Sequence, residues 1–110
     1  SNYYTIIFHN YHCRYGEIDI IAQKKKLLAF VEVKTRSSTS FGEPIDAVTE
    51  QKRDKIIKTA YNFLGKYPEY DKYGTRFDVI CITYFPKNKQ FQLKHYQQAF
   101  LGKPISDHPY

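Results

Sequence analysis

Gly16-Glu17-Ile18-Asp19-Ile20-Ile21-Ala22-Gln23, a turn at Lys24-Lys25-Lys26, then Leu27-Leu28-Ala29-Phe30-Val31-Glu32-Val33-Lys34 is the stretch around which the chain is organised. Both arms are rich in β-branched and apolar residues and the break between them is short, so the stretch reads as an antiparallel β-hairpin. Side chains alternate along a strand. Glu17, Asp19 and Ile21 therefore share one face of the first arm, and Leu28, Phe30, Glu32 and Lys34 one face of the second. With Gln23 facing Leu28 across a four-residue turn, Asp19 falls opposite Glu32 and Glu17 opposite Lys34.

Two carboxylates opposed across a ladder destabilise a sheet unless positive charge lies between them. A divalent cation removes the conflict. Magnesium suits it, because it takes oxygen ligands, keeps several waters, and is held by one or two carboxylates plus a substrate phosphate. Lys34, one pleat beyond Glu32, would then orient water or stabilise charge developing on a phosphate. The plainer reading makes Glu17 and Lys34 an ordinary cross-strand ion pair on a solvated sheet, and short motifs of this kind have a high false-positive rate. Against the plainer reading, Asp19 and Glu32 each lie inside an apolar run, where an unpaired carboxylate is costly to bury.

Asp19, twelve intervening residues, and Glu32-Val33-Lys34 resemble the signature of the PD-(D/E)XK, or restriction-endonuclease-like, nuclease superfamily. A longer string is more specific: Gly16-Glu17-Ile18-Asp19-Ile20-Ile21-Ala22, Phe30-Val31-Glu32-Val33-Lys34-Thr35-Arg36, Phe41-Gly42, and Ala47-Val48-Thr49 ahead of Lys52. By this string the chain resembles the YraN family of small uncharacterised bacterial proteins, which is regarded as similar to archaeal Holliday-junction resolvases. The likeness extends over residues 4–100. It implies a catalytic set of Asp19, Glu32, Lys34 and Glu17, with Asp19 and Glu32 holding Mg2+ or Mn2+ and a backbone carbonyl near Val33 completing the ligands. In that scheme Lys34 acts on the attacking water or the transition state, and Glu17 supports Lys34 or a second metal.

The chain has 110 residues, enough for one domain with one modest core, expected over about 3–101. Seventeen basic residues against eleven acidic give a formal net charge of +6, which favours a polyanionic partner without specifying one. No apolar run approaches membrane-spanning length and no secretion signal opens the chain, so a cytoplasmic protein is the default. Cys13 and Cys81 are far apart and match no zinc-ligand spacing, so both read as free thiols. His9, His12 and Cys13 lie close together, but alternation points His9 and Cys13 one way and His12 the other.

Residues 3–11 read as a strand pairing with the first arm of the hairpin, followed by a polar turn. Residues 35–44 are polar, with Gly42 and Pro44 near the end, and read as a surface loop carrying Arg36 to a phosphate. Thr49 is the expected N-cap of a helix over 50–66, with Ile56, Ile57, Ala60, Phe63 and Leu64 as its buried stripe. Lys52, in the first turn after the loop, is expected to reach the substrate backbone, and the family motif has a lysine in this place. Tyr67-Pro68 ends the helix, and the segment to Thr75 reads as a loop. Residues 76–84 form a strand whose apolar middle suggests burial on both faces. Asp78 within it is expected to pair with a neighbour such as Arg76 rather than join the site. A turn over 86–89, an edge strand over 91–96 and one helical turn over 97–101 complete the reading.

The expected fold is α/β, a restriction-endonuclease-like single domain with a mixed five-stranded sheet and one long helix. The expected function is a magnesium-dependent, endonuclease-like phosphodiesterase acting on DNA, with RNA left open and no sequence specificity. The alternative is a non-catalytic nucleic-acid-binding or assembly module that keeps the nuclease fold. A third reading is a structural protein with a salt-bridged hairpin. The family resemblance places a helix bearing a glutamate before the first strand, whereas this chain enters that strand at once and contains no methionine. The expectation is a chain cut from a longer protein, with Ser1-Asn2 as a tag remnant. Its sheet would then expose Ile6, Phe8 or their neighbours, and association as a homodimer or reduced stability would follow.

Overall fold

The hairpin forms in the register that alternation and turn length predict. In the computed structural model, which describes residues 3–37 and 48–102, strand β1 spans Thr5–Cys13, β2 Gly16–Lys24 and β3 Leu27–Ser37. β2 and β3 are antiparallel, with Gln23 opposite Leu28 and Ile21 opposite Phe30. The ladder continues one step beyond expectation, to Lys24 and Leu27, leaving Lys25-Lys26 as the turn. Lys25 has φ 55°, the left-handed backbone that so tight a turn requires.

Helix α1 is Glu50–Lys66, and the remaining strands are β4 (Gly74–Phe85) and β5 (Gln90–Phe100). The sheet order is β1-β2-β3-β4-β5, antiparallel except for the β3–β4 pair. That parallel pair needs a crossover, which α1 supplies. Thr49 caps the helix by accepting the Lys52 N–H at 3.2 Å. Tyr67 closes it, donating its N–H to Phe63 O ahead of Pro68.

α1 buries Ile56, Ile57, Thr59, Ala60 and Phe63 against the sheet. Thr59 was not on the expected stripe; its hydroxyl is satisfied by donating to Lys55 O at 2.7 Å, which lets a polar side chain sit in an apolar interface. Phe63 is the centre of the core, packed by the rings of Phe8, Tyr11, Phe30, Tyr67 and Tyr70 at centroid distances from 4.8 to 6.1 Å. The result is the expected mixed α/β architecture, consistent with a restriction-endonuclease-like domain. Among the described residues no helix is long and apolar enough to cross a membrane.

Several local expectations are corrected. β3 runs on to Ser37, so Thr35 and Arg36 belong to a strand; parallel pairing with β4, Arg36 opposite Thr83 and Ser37 opposite Tyr84, holds the polar segment extended. The rest of the expected loop, 38–44, and the Phe41-Gly42 motif lie outside the described residues. Residues 97–100 are strand and not a helical turn, because Phe100 pairs with Phe77 and stacks on its ring at 5.0 Å. Pro68–Tyr70 forms a short 3-10 helix inside the expected loop. β4 is buried at Phe77, Val79, Cys81, Thr83 and Phe85 but only half-buried at Ile80 and Ile82, so one of its faces is the more enclosed. Ile6 is 50% exposed, as expected, but Phe8 is not exposed: its ring lies 5.4 Å from that of Phe63. Cys13 and Cys81 are free thiols.

Candidate functional site

Strict alternation does not hold along β2. Ile18 and Ile21 are three residues apart, yet both are buried in the same core cluster, so the strand steps between them, at Asp19 and Ile20. β1 steps with it. His9 pairs with Ile20 and Tyr11 with Ile18, which leaves Asn10, with φ 51°, across from Asp19. Phe8 and Tyr11 accordingly both reach Phe63. The step turns the Asp19 carboxylate toward β3, where Oδ2 accepts the Val33 N–H at 2.8 Å. The regular β2–β3 pairs stop at Ile20 and Val31, one position short of Asp19 and Glu32.

Asp19 and Glu32 are thereby brought together in a cavity of about 260 Å³, walled by Gly16, Glu17, Asp19, Glu32, Lys52, Lys55 and Ile56. Burial pushes the Glu32 carboxyl up from the ordinary glutamate range, and the like charge of Asp19 adds to the effect. Lys52 opposes it, its Nζ lying 3.2 Å from Glu32 Oε1. Gly16 lets the start of β2 lie against α1: its φ is +156°, and a Cβ there would meet Thr59 Oγ1 at 3.3 Å and Lys55 Cβ at 3.4 Å.

The structure thus groups Asp19, Glu32, Glu17 and Lys52. Lys34 lies two residues beyond Glu32 on the same face of β3, outside the walls of the cavity. Glu17 pairs with His12 on β1 and shares the cavity with Lys52 and Lys55; on its other side the regular β2–β3 ladder ends at Ile20 and Val31, before it reaches Glu17 and Lys34. Arg36 is fixed on β3, its Nε donating to Thr83 Oγ1 at 3.3 Å. Lys55 and Gly16 were missed as site residues. Lys55 follows Lys52 by three, the spacing that puts two side chains on one side of a helix, and that signal was present in the sequence.

Asp78 belongs to a different cluster. Its side chain is wholly buried, and Arg76 donates to its two oxygens at 2.8 and 2.7 Å. His95 Nε2 lies 2.7 Å from Oδ2, and the Gln98 N–H donates to Oδ1 at 3.1 Å. Burial alone would push this carboxyl up, but the hydrogen bonds from Arg76, Gln98 and His95 outweigh it and hold it below the usual range. Arg76 Nη2 also donates to the Tyr4 hydroxyl at 2.5 Å, so the cluster ties the start of the chain to β4 and β5.

A model of the uncharacterised protein family UPF0102 matches residues 1–82 of this chain. The chain belongs to the UPF0102 family. This is the YraN family that the hairpin motifs resemble. A UPF0102 protein of Clostridium botulinum strain Hall is 41% identical over 97 residues, covering 88% of this chain and 79% of the relative. A UPF0102 protein of Acinetobacter baumannii strain AYE is 42% identical over 103 residues, covering 89% of this chain and 77% of the relative. The match to the UPF0102 family model covers the hairpin, α1 and most of β4, and so every described residue that walls the cavity.

Proposed function

We propose that this UPF0102 protein is a magnesium-dependent, endonuclease-like phosphodiesterase that acts on DNA. The observation carrying the reading is the convergence of Asp19 and Glu32 beside Lys52 in a cavity. The described residues that wall the cavity include carboxylates but neither histidine nor cysteine, a hard donor set that suits Mg2+ or Mn2+ better than zinc. Among the described residues no group of three or more His, Cys, Asp and Glu side chains is arranged to hold a metal. A two-carboxylate set fits an ion that keeps waters and takes a phosphate as a further ligand.

Asp19 and Glu32 would hold the ion, which when bound supplies positive charge at the scissile phosphate and lowers the pKa of water there. The remaining steps fall to the chain's own groups. The Val33 N–H fixes Asp19 in place, so the donor pair is set before substrate arrives. Lys34, about 7 Å along β3 from Glu32 by strand rise, lies where its ammonium can meet charge developing on the phosphate. Lys52 and Arg36 contact the flanking phosphates. Glu17 lines the same cavity and balances the charge of Lys52 and Lys55.

The test of this reading is Lys34→Ala on a panel of junction, flap and duplex DNA with magnesium. The expected result is loss of cleavage with an unchanged melting curve, since Lys34 acts on the transition state and not on the core. A variant that cleaves as the wild type does removes Lys34 from the mechanism, and one that fails to fold assigns it to the structure.

A further inference from the structure

The cavity that holds Asp19 and Glu32 already contains a cation of the protein's own. Lys52 Nζ is 3.2 Å from Glu32 Oε1, with the lysine side chain 48% exposed and the glutamate 11% exposed. Lys52 is the third residue of α1, inside the first turn. Positive charge is disfavoured at that end of a helix, where the backbone N–H groups already carry a partial positive charge. The group that holds its ammonium there is the Glu32 carboxylate. A lysine is suited to this, being a compact charge on a long flexible stem that can leave one partner for another.

We propose that Lys52 is the resident counter-ion of the carboxylate pair, holding the place of the metal and moving to a substrate phosphate when the metal arrives. The idea rests on the metal-site reading above and adds a competition to it. Among the described residues of the cavity, Glu17, Asp19 and Glu32 face Lys52 and Lys55, an excess of one negative charge. A divalent cation reverses the sign of that balance and drives the half-exposed ammonium outward, toward the side from which a phosphate approaches. Metal binding and phosphate binding are then coupled through one side chain, and by linkage each strengthens the other. Before the metal arrives Lys52 acts through Glu32, as a positioning residue; on the phosphate it is a binding contact.

The test is direct titration of Mn2+ into the purified chain, read by the loss of the free-ion electron paramagnetic resonance signal, without DNA and without turnover. The proteins are the wild type, Lys52→Met, Lys52→Arg and Asp19→Asn. Removing the competing cation should tighten Mn2+ binding by about tenfold in Lys52→Met, within the usual range of site-to-site coupling. Lys52→Arg should stay near the wild type, and Asp19→Asn should weaken binding. Equal or weaker binding by Lys52→Met, with Asp19→Asn still weakened, overturns the counter-ion role and leaves the metal site standing. Binding absent from every protein, or undiminished in Asp19→Asn, overturns the metal site and the counter-ion role together. Melting curves in chelator report whether each variant is folded.

Discussion

The Asp19 carboxylate accepts the N–H of Val33 at 2.8 Å, standing in for a ladder bond that β2 does not make at that point. The bond places the acid next to Glu32, the residue before Val33, and gives Asp19 a structural duty besides any chemical one. Asp19→Asn keeps a side-chain oxygen for the bond and should melt near the wild type in chelator. Asp19→Ala leaves a partly enclosed N–H without its partner and should lose about 1–3 kcal/mol in urea unfolding. Equal stability of the two variants would show that the bond does not hold β2 against β3.

Asp78 contributes to acid stability. Its folded pKa is below the unfolded value of about 3.9, so its contribution is fully present above that value and is lost as pH falls through the folded pKa. Asp78→Asn should cost about 3 kcal/mol at pH 7, because it leaves Arg76 without its charge partner in a buried setting. The deficit should shrink on acidification. Urea midpoints measured across the acid range check this, and a deficit independent of pH would contradict it.

Glu32 runs the other way. Its folded pKa is raised, so the stability it contributes is fully present below the unfolded pKa and is lost as pH rises through the folded one. In chelator, Glu32→Gln should be at least as stable as the wild type at neutral pH and should lack that alkaline-going loss, even though it gives up the Lys52 ion pair. Added magnesium should stabilise the wild type and not the variant. A variant clearly less stable than the wild type in chelator would mean that the ion pair outweighs the repulsion from Asp19.

What the sequence revealed was local in origin. The cap at Thr49, the helix over 50–66 and the Gln23–Leu28 register follow from neighbouring residues, and all are present. Arg36 on a strand was illegible because β4 sets the length of β3 from 47 residues away. The extension of β5 was hidden for a related reason: Gln97-Gln98-Ala99 suits a helix, but burial of Phe100 on Phe77 and the Gln98 bond to Asp78 decide it. Unbroken alternation pairs Asp19 with Glu32. They do meet, but through the step at Asn10 and Asp19, which depends on two strands bending together and leaves no periodic trace.

Affinity for DNA should fall steeply with salt. Each phosphate contact contributes about −0.9 to the slope of log affinity against log salt on B-DNA, so Arg36→Ala and Lys52→Ala should each flatten the slope by about that amount, for all sequences alike. Fluorescence anisotropy across a salt series measures it. A slope unchanged in both variants would remove these residues from the interface.

Turnover itself separates an enzyme from a binding module. Magnesium and then manganese are titrated into the wild type and an Asp19→Asn, Glu32→Gln double variant, with junction, flap and duplex DNA as substrates. The predicted result is metal-dependent cleavage by the wild type of at least one substrate, and none by the double variant, which still folds and still binds DNA. Cleavage that survives in the double variant, or a wild type that binds these DNAs but cuts none of them with either metal, would contradict it.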